Sequence, residues 1–186
     1  PHAAGPVAIV HNGIIENFRE LREELASENP DYQSDTDSEL IAHLIHSGLK
    51  MGLPMSQAFP AALKRLKGTY AIAAISRDEP DQIWASRLGS PLVVGVGKGE
   101  GYVGSDAIAL IGLSNRVVYL EDGDWVVVGR EGFTIHDKND QEVERPVQIS
   151  SASTSFGEKG GYRHFMEKEI HEQPDSLART LACYID

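Results

Sequence analysis

The feature that most restricts the fold of this chain is a change of period at Gly68. Before it, apolar residues recur at helical spacing; after it, they come in short runs cut by glycine and aspartate. Residues 70–75, 82–87, 91–96, 116–120, 125–128 and 133–136 each read as a strand, with turns such as Glu121-Asp122-Gly123-Asp124 and Arg130-Glu131-Gly132 between them. That spacing predicts a largely antiparallel meander. Upstream, the apolar run 6–10 reads as a buried strand that stops at His11-Asn12-Gly13, where the Asn-Gly pair predicts a tight turn. A helix over 14–25 follows, with Phe18, Leu21 and Leu25 at helical spacing, Asn17 as its cap and Glu20 closing a capping box. A second helix opens at Thr36-Asp37-Ser38-Glu39 and runs through Leu40, Ile41, Leu44 and Ile45 to an end near Gly48. A third covers about 56–67, irregular at Pro60. Helices followed by a run of strands define an α+β sandwich. The Ser- and Gly-rich stretch 150–161 reads as a loop, 162–173 as a charged helix, and Pro174 as the start of a last short helical segment.

With 186 residues the chain holds one domain, or one domain and a short tail. Seventeen Lys and Arg stand against 28 Asp and Glu, a net charge of −11 with no basic cluster, which disfavours nucleic acid and anionic membrane surfaces as partners. No apolar run is long enough to span a bilayer, and residues 1–6 lack the basic start and apolar core of a signal peptide. The one cysteine, Cys183, excludes an internal disulfide and multi-cysteine zinc sites, and suits a reducing cytoplasm. The chain opens without Met a few residues before a strand, and so reads as a piece of a longer protein.

Several residues invite a chemical reading, each beside a plainer one. Gly99-Glu100-Gly101-Tyr102-Val103-Gly104 spells G-x-G-x-x-G, but Tyr102-Val103 reads as strand, so a hairpin is expected in place of a pyrophosphate loop. His43 and His46 lie three apart on a helix without further metal ligands in view. Cys183 follows an apolar stretch with no His or Asp partner and is expected to be structural. His11-Asn12-Gly13 is either an ordinary turn or a set of donors: Asn12 brings a neutral amide and Gly13 an approachable backbone N–H, the groups that hold a developing oxyanion. Asp37 either complements the dipole of its helix or pairs with a substrate ammonium. The residues alone leave both pairs of readings open.

Read together, four stretches resemble the class II glutamine amidotransferases: residues 10–17 (VHNGIIEN), 34–39 (SDTDSE), 89–95 (GSPLVVG) and 104–106 (GSD). The segment 162–174, YRHFMEKEIHEQP, is the most specific. It is similar to the junction found in those members that join a glutaminase domain to a sugar-isomerase domain. The resemblance implies a four-layer αββα sandwich of the N-terminal-nucleophile type, here incomplete, with 1–149 as a partial glutaminase domain. Residues 150–186 would then be its end and the linker helix toward the isomerase domain. It implies L-glutamine as substrate and ammonia passed to fructose 6-phosphate, giving glucosamine 6-phosphate. It calls for no cofactor and no metal, and suggests a homodimer for the whole enzyme. Asn12 and Gly13 would form the oxyanion hole, and Asp37 would bind the α-ammonium of glutamine.

In that family an N-terminal cysteine attacks the glutamine amide, and an Arg-Trp loop closes over it. Pro1 is not that cysteine and Cys183 does not match its position. These 186 residues alone are therefore expected neither to hydrolyse glutamine nor to make amino sugar, and to fold with apolar surface exposed. Two rivals remain: another class II enzyme resembling the amidophosphoribosyltransferases, and a non-catalytic binding module with the same fold.

Overall fold

The computed structural model describes residues 1–149, 159 and 161–182. Eleven strands among them form two sheets. Seven strands lie in the order β1 (His2–Ala4), β2 (Val7–Ile15), β3 (Gly68–Ser76), β4 (Glu79–Leu88), β8 (Trp125–Val128), β9 (Phe133–His136) and β10 (Glu142–Val143). The second sheet runs β11 (Val147–Ile149), β7 (Arg116–Tyr119), β5 (Val93–Val96) and β6 (Gly101–Gly104). All the pairings are antiparallel. Three helices, α1 (Phe18–Leu25), α2 (Asp37–Lys50) and α3 (Met55–Leu63), fill the chain between β2 and β3, and α4 (Phe165–Ala182) comes last.

The alternation of side chains along each strand sorts the core into layers. On the larger sheet Val7, Ile9, Tyr70, Ile72, Ala74, Trp84 and Trp125 face the helices and join Leu21, Leu25, Ile41, Ile45 and Phe59. Their alternate neighbours along each strand, Ala71, Ala85, Val126, Val128 and Ile135, face the smaller sheet, where they meet Leu92, Val94, Val118 and Leu120. On the far side of the smaller sheet Val93 and Val117 pack against a single 3₁₀ turn, Ala107–Leu110. The order of layers is helix, sheet, sheet and one short turn, so the expected αββα sandwich is present with a thin fourth layer.

The expected meander is interrupted by three crossings between the sheets: β4 to β5, β7 to β8 and β10 to β11. One ionic cluster draws these crossings together. Asp124, buried in the turn before β8, receives Nε and Nη2 of Arg145, which lies between β10 and β11, at 2.9 and 3.0 Å. Arg87, near the end of β4, reaches Asp122 at 2.7 Å and donates to the Leu120 carbonyl at 2.9 Å.

Three local expectations change. The Asn-Gly pair makes no turn, because β2 stays paired with β3 over nine residues, from Val7 opposite Ser76 to Ile15 opposite Gly68. The ladder overrides the turn preference of the dipeptide. Helix α1 consequently starts at Phe18, and Asn17 does not cap it. The Asn17 amide instead bridges to the loop before β3, donating to the Arg65 carbonyl and accepting from the Lys67 N–H, both at 2.9 Å. Helix α2 does end near Gly48, at Lys50, and Gly48 itself, where a Cβ would stand 3.0 Å from that of Ala58, lets α3 pack closely. Finally, α4 continues through Pro174 as one helix. The expected loop at 150–161 falls largely on residues outside those described.

Candidate functional site

Strand β2 carries two of the sequence's three candidate residues, Asn12 and Gly13, near its end, and Asp37 reaches that end from α2. Odd positions face the helices, so Asn12 shares its face with Ala8, Val10 and Ile14, toward the second sheet. The smaller sheet covers this face only in part. Val10, Ile14 and Ile75 remain 53%, 67% and 53% exposed. A cavity of about 230 Å³ lies there among Ala8, Val10, Ala73, Ile75, Ile83 and Val103. Asn12 is itself exposed, and its amide makes no hydrogen bond to the described residues.

Gly13 is pinched against β3. Its φ is 143°, and a Cβ would lie 2.0 Å from the Thr69 carbonyl oxygen. Only glycine keeps the ladder closed here. Asp37 reaches the same strand end from the opposite face. As the first residue of α2, it accepts the Ile15 N–H on Oδ2 at 2.8 Å, and the Ser38 hydroxyl approaches Oδ1 at 3.5 Å. Asp37 is thus more than a complement to the helix dipole: it ties the start of α2 to the end of β2. The stretch 13–15 lies between it and Asn12. An amide donor on one face, a pinched backbone and a carboxylate on the other thus surround one strand end.

Two polar residues around this strand end were named in the sequence without a role of their own. Glu39, at the third position of α2, is buried and accepts the N–H groups of Gln33 and Ser34, both at 2.7 Å, and the Ser34 hydroxyl at 2.6 Å. It reaches back past the helix start, as a capping-box glutamate does, but holds the preceding loop and not the cap. Burial pushes its carboxyl up, yet those donors outweigh burial and leave it below its ordinary value. The other is His11, whose Nδ1 lies 2.9 Å from Ser38 Oγ. Its signal was parity: it follows Ile9 by two, so it must face α2.

The remaining motifs go to structure. Gly101–Gly104 is strand β6, joined to β5 by a hairpin in which the Gly97 N–H donates to the Glu100 carbonyl at 3.0 Å. His43 packs on the Tyr32 ring at 4.5 Å, while the His46 ring lies against Gly5, where a Cβ would be 2.2 Å from Cε1. Among the described residues no group of three or more His, Cys, Asp or Glu gathers to hold a metal ion, and no helix is long and apolar enough to cross a membrane. Cys183 lies outside the described residues. A separate cleft of about 490 Å³ opens between α3 and the sheet, beside Trp84, Trp125 and His136.

Burial holds His11, His43 and His46 all below the ordinary histidine value of 6.5, against the pull of Asp37 on His11 and of Glu39 on His43. The unfolded chain, with ordinary imidazoles, takes up protons that the folded chain refuses. Stability is therefore full above 6.5 and declines as pH falls below it toward the lower folded values. Melting temperature is expected to drop between about pH 7.5 and about pH 5.5. A flat or rising profile in a thermal melt series contradicts this.

The match to known proteins covers the same region. A family model described as a glutamine amidotransferase domain matches residues 2–112. Glutamine–fructose-6-phosphate aminotransferase (isomerizing) of Zymomonas mobilis is 52% identical over 185 residues, taking in 100% of this chain and 30% of that protein. The enzyme of the same name from Caulobacter vibrioides is 52% identical over 186 residues, covering 31% of its length. The chain thus spans about three tenths of these curated relatives. Among solved structures, the glutamine phosphoribosylpyrophosphate amidotransferase of B. subtilis aligns with a TM-score of 0.58 at 25% identity, over 70% of this chain and 29% of that one. A glutamine aminotransferase class-II domain protein from Silicibacter pomeroyi, 22% identical, shares the fold with a TM-score of 0.52 over 74% of this chain and 69% of its own.

Proposed function

Because this chain belongs to the glutamine amidotransferase domain family, we propose that it forms the glutaminase part of a glutamine–fructose-6-phosphate aminotransferase. In that role it releases ammonia from L-glutamine for the conversion of fructose 6-phosphate to glucosamine 6-phosphate. Residues 1–149 supply the glutaminase portion and 150–186 lead toward a sugar-isomerase domain. The whole enzyme works in the cytoplasm as a homodimer.

One observation supports the reading above the others: the end of β2 offers an unengaged amide at Asn12 and a Gly13 backbone that a ligand can approach, with the Asp37 carboxylate tied to the same strand end. Here Asn12 Nδ2 and the Gly13 N–H receive the oxyanion formed when the glutamine amide carbon becomes tetrahedral. The β2–β3 ladder already fixes the Gly13 N–H, so that donor costs no reorganisation. Asp37 Oδ1 takes the α-ammonium, which sets the distance from backbone to amide and so selects glutamine by length. The overall likeness to the two aminotransferases favours this function over that of an amidophosphoribosyltransferase, whose structural likeness is partial.

The test is glutamine hydrolysis by the enzyme carrying these residues. Asn12→Ala is expected to lower kcat about a hundredfold with little change in KM, as for loss of one oxyanion donor. Asp37→Asn is expected to raise the KM for glutamine roughly 10- to 100-fold, the loss of a charge-assisted hydrogen bond. Wild-type kinetics in both variants would sink the assignment.

A further inference from the structure

We propose that His11 is a positioning residue that, through the Ser38 hydroxyl, fixes the carboxylate of Asp37 for its ligand. The inference rests on the reading of Asp37 as the ammonium site. It begins with strand parity: Asn12 faces the second sheet, so its neighbour His11 must face α2. There His11 Nδ1 lies 2.9 Å from Ser38 Oγ, and Ser38 Oγ in turn approaches Asp37 Oδ1 at 3.5 Å. A serine hydroxyl has one proton to give. Donated to Asp37, it requires His11 to carry its proton on Nδ1 and to donate to Ser38.

The other imidazole nitrogen points to the same tautomer. Nε2 is buried and has no hydrogen-bond partner among the described residues. If it carried the proton, an N–H donor would be buried unsatisfied, which costs more than an acceptor left idle. The Nδ1–H form therefore satisfies the ring's one donor and directs the serine proton at the carboxylate. With the Ile15 N–H on Oδ2 at 2.8 Å and the Ser38 hydroxyl 3.5 Å from Oδ1, the Asp37 carboxylate is anchored by one oxygen and steered by the other. Oδ1, pulled only weakly by Ser38, keeps capacity for a cation. One strand thus carries the oxyanion donor at Asn12 on one face and, at His11, the group that aims the ammonium site on the other.

Two measurements test this. In the 186-residue chain, ¹⁵N-detected NMR of the His11 ring should show the Nδ1–H tautomer, and Ser38→Ala should release it. An Nε2–H ring, or one indifferent to Ser38, overturns the proposal without reference to activity. In the glutamine-hydrolysing enzyme, His11→Phe keeps the ring's bulk without the donor and should raise the KM for glutamine roughly 3- to 10-fold with kcat within about twofold. His11→Asn, which returns an N–H near the Nδ1 position, should bring KM back to within about twofold of wild type. A merely structural His11 would lower the melting temperature in both variants and leave KM unmoved. If Asp37→Asn fails to raise KM, the functional reading fails; if it raises KM and His11→Phe does not, only the present inference fails.

Discussion

Arg145→Ala is expected to remove about 3–5 kcal/mol of folding stability, as when one partner of a buried pair is deleted. Asp124 is 1% exposed, and its carboxylate takes both the Nε and Nη2 of Arg145, with the Glu121 N–H as a third donor at 2.8 Å. Take away the guanidinium and a buried anion keeps one hydrogen bond. The position of the pair adds to the effect. Arg145 lies where the chain leaves the larger sheet for β11, and Asp124 where it arrives from β7. The pair therefore joins two of the three crossings that hold the sheets together. Arg145→Lys should recover only part of the loss, because an ammonium has no planar fork to match a carboxylate. Urea unfolding monitored by circular dichroism measures both. A loss under about 1 kcal/mol for the alanine variant would place the pair among ordinary surface ion pairs and refute the argument.

Gly13→Ala is expected to cost about 3 kcal/mol or more, combining backbone strain with a steric clash of the overpacking kind. The added Cβ would stand 2.0 Å from the Thr69 carbonyl oxygen, so β2 and β3 must part near their ends. Gly52→Ala is the matched control. Its φ of 86° is equally foreign to alanine, but no atom lies within 4 Å of the new methyl. It should cost only the strain, about 1–2 kcal/mol. Because the separation occurs beside Asn12 and Ile15, glutamine turnover in the enzyme should fall further in Gly13→Ala than the loss of folded protein explains. Equal costs at the two glycines would show that strain alone, and not the pinch, governs the site.

Much of this architecture could be read before any coordinates. The change of period at Gly68 gave the α+β class, since apolar alternation survives in β3, β4 and β8 however they pair. Strands β1, β10 and β11 were missed because two or three residues carry no period. The sheet crossings were invisible for a different reason: which sheet a strand joins depends on partners far along the chain, as Arg145 with Asp124 shows. Asn12-Gly13 misled because a dipeptide's turn preference is small beside a nine-residue ladder. Asn17 misled likewise, its amide being taken by Arg65 and Lys67 of a distant loop. At the site, Asn12, Gly13 and Asp37 were singled out by resemblance, since an exposed amide, a glycine and a helix-start acid look the same in many chains. His11 becomes legible only once β2 is known to continue through it.

The two tryptophans of the chain are also its two fluorophores of longest wavelength, and they are not independent. Trp84 and Trp125 stack with centroids 6.2 Å apart, in a column that runs from Phe59 at one end to His136, 4.0 Å above Trp125, at the other. Excitation of one indole is shared with its neighbour, and the His136 imidazole caps the pair. Emission from this protein is thus a single optical signal, placed on the helix side of the larger sheet. It will report α3 lifting away from that sheet and will be blind to the two sheets sliding apart. An unfolding curve followed by tryptophan emission alone would record half the molecule.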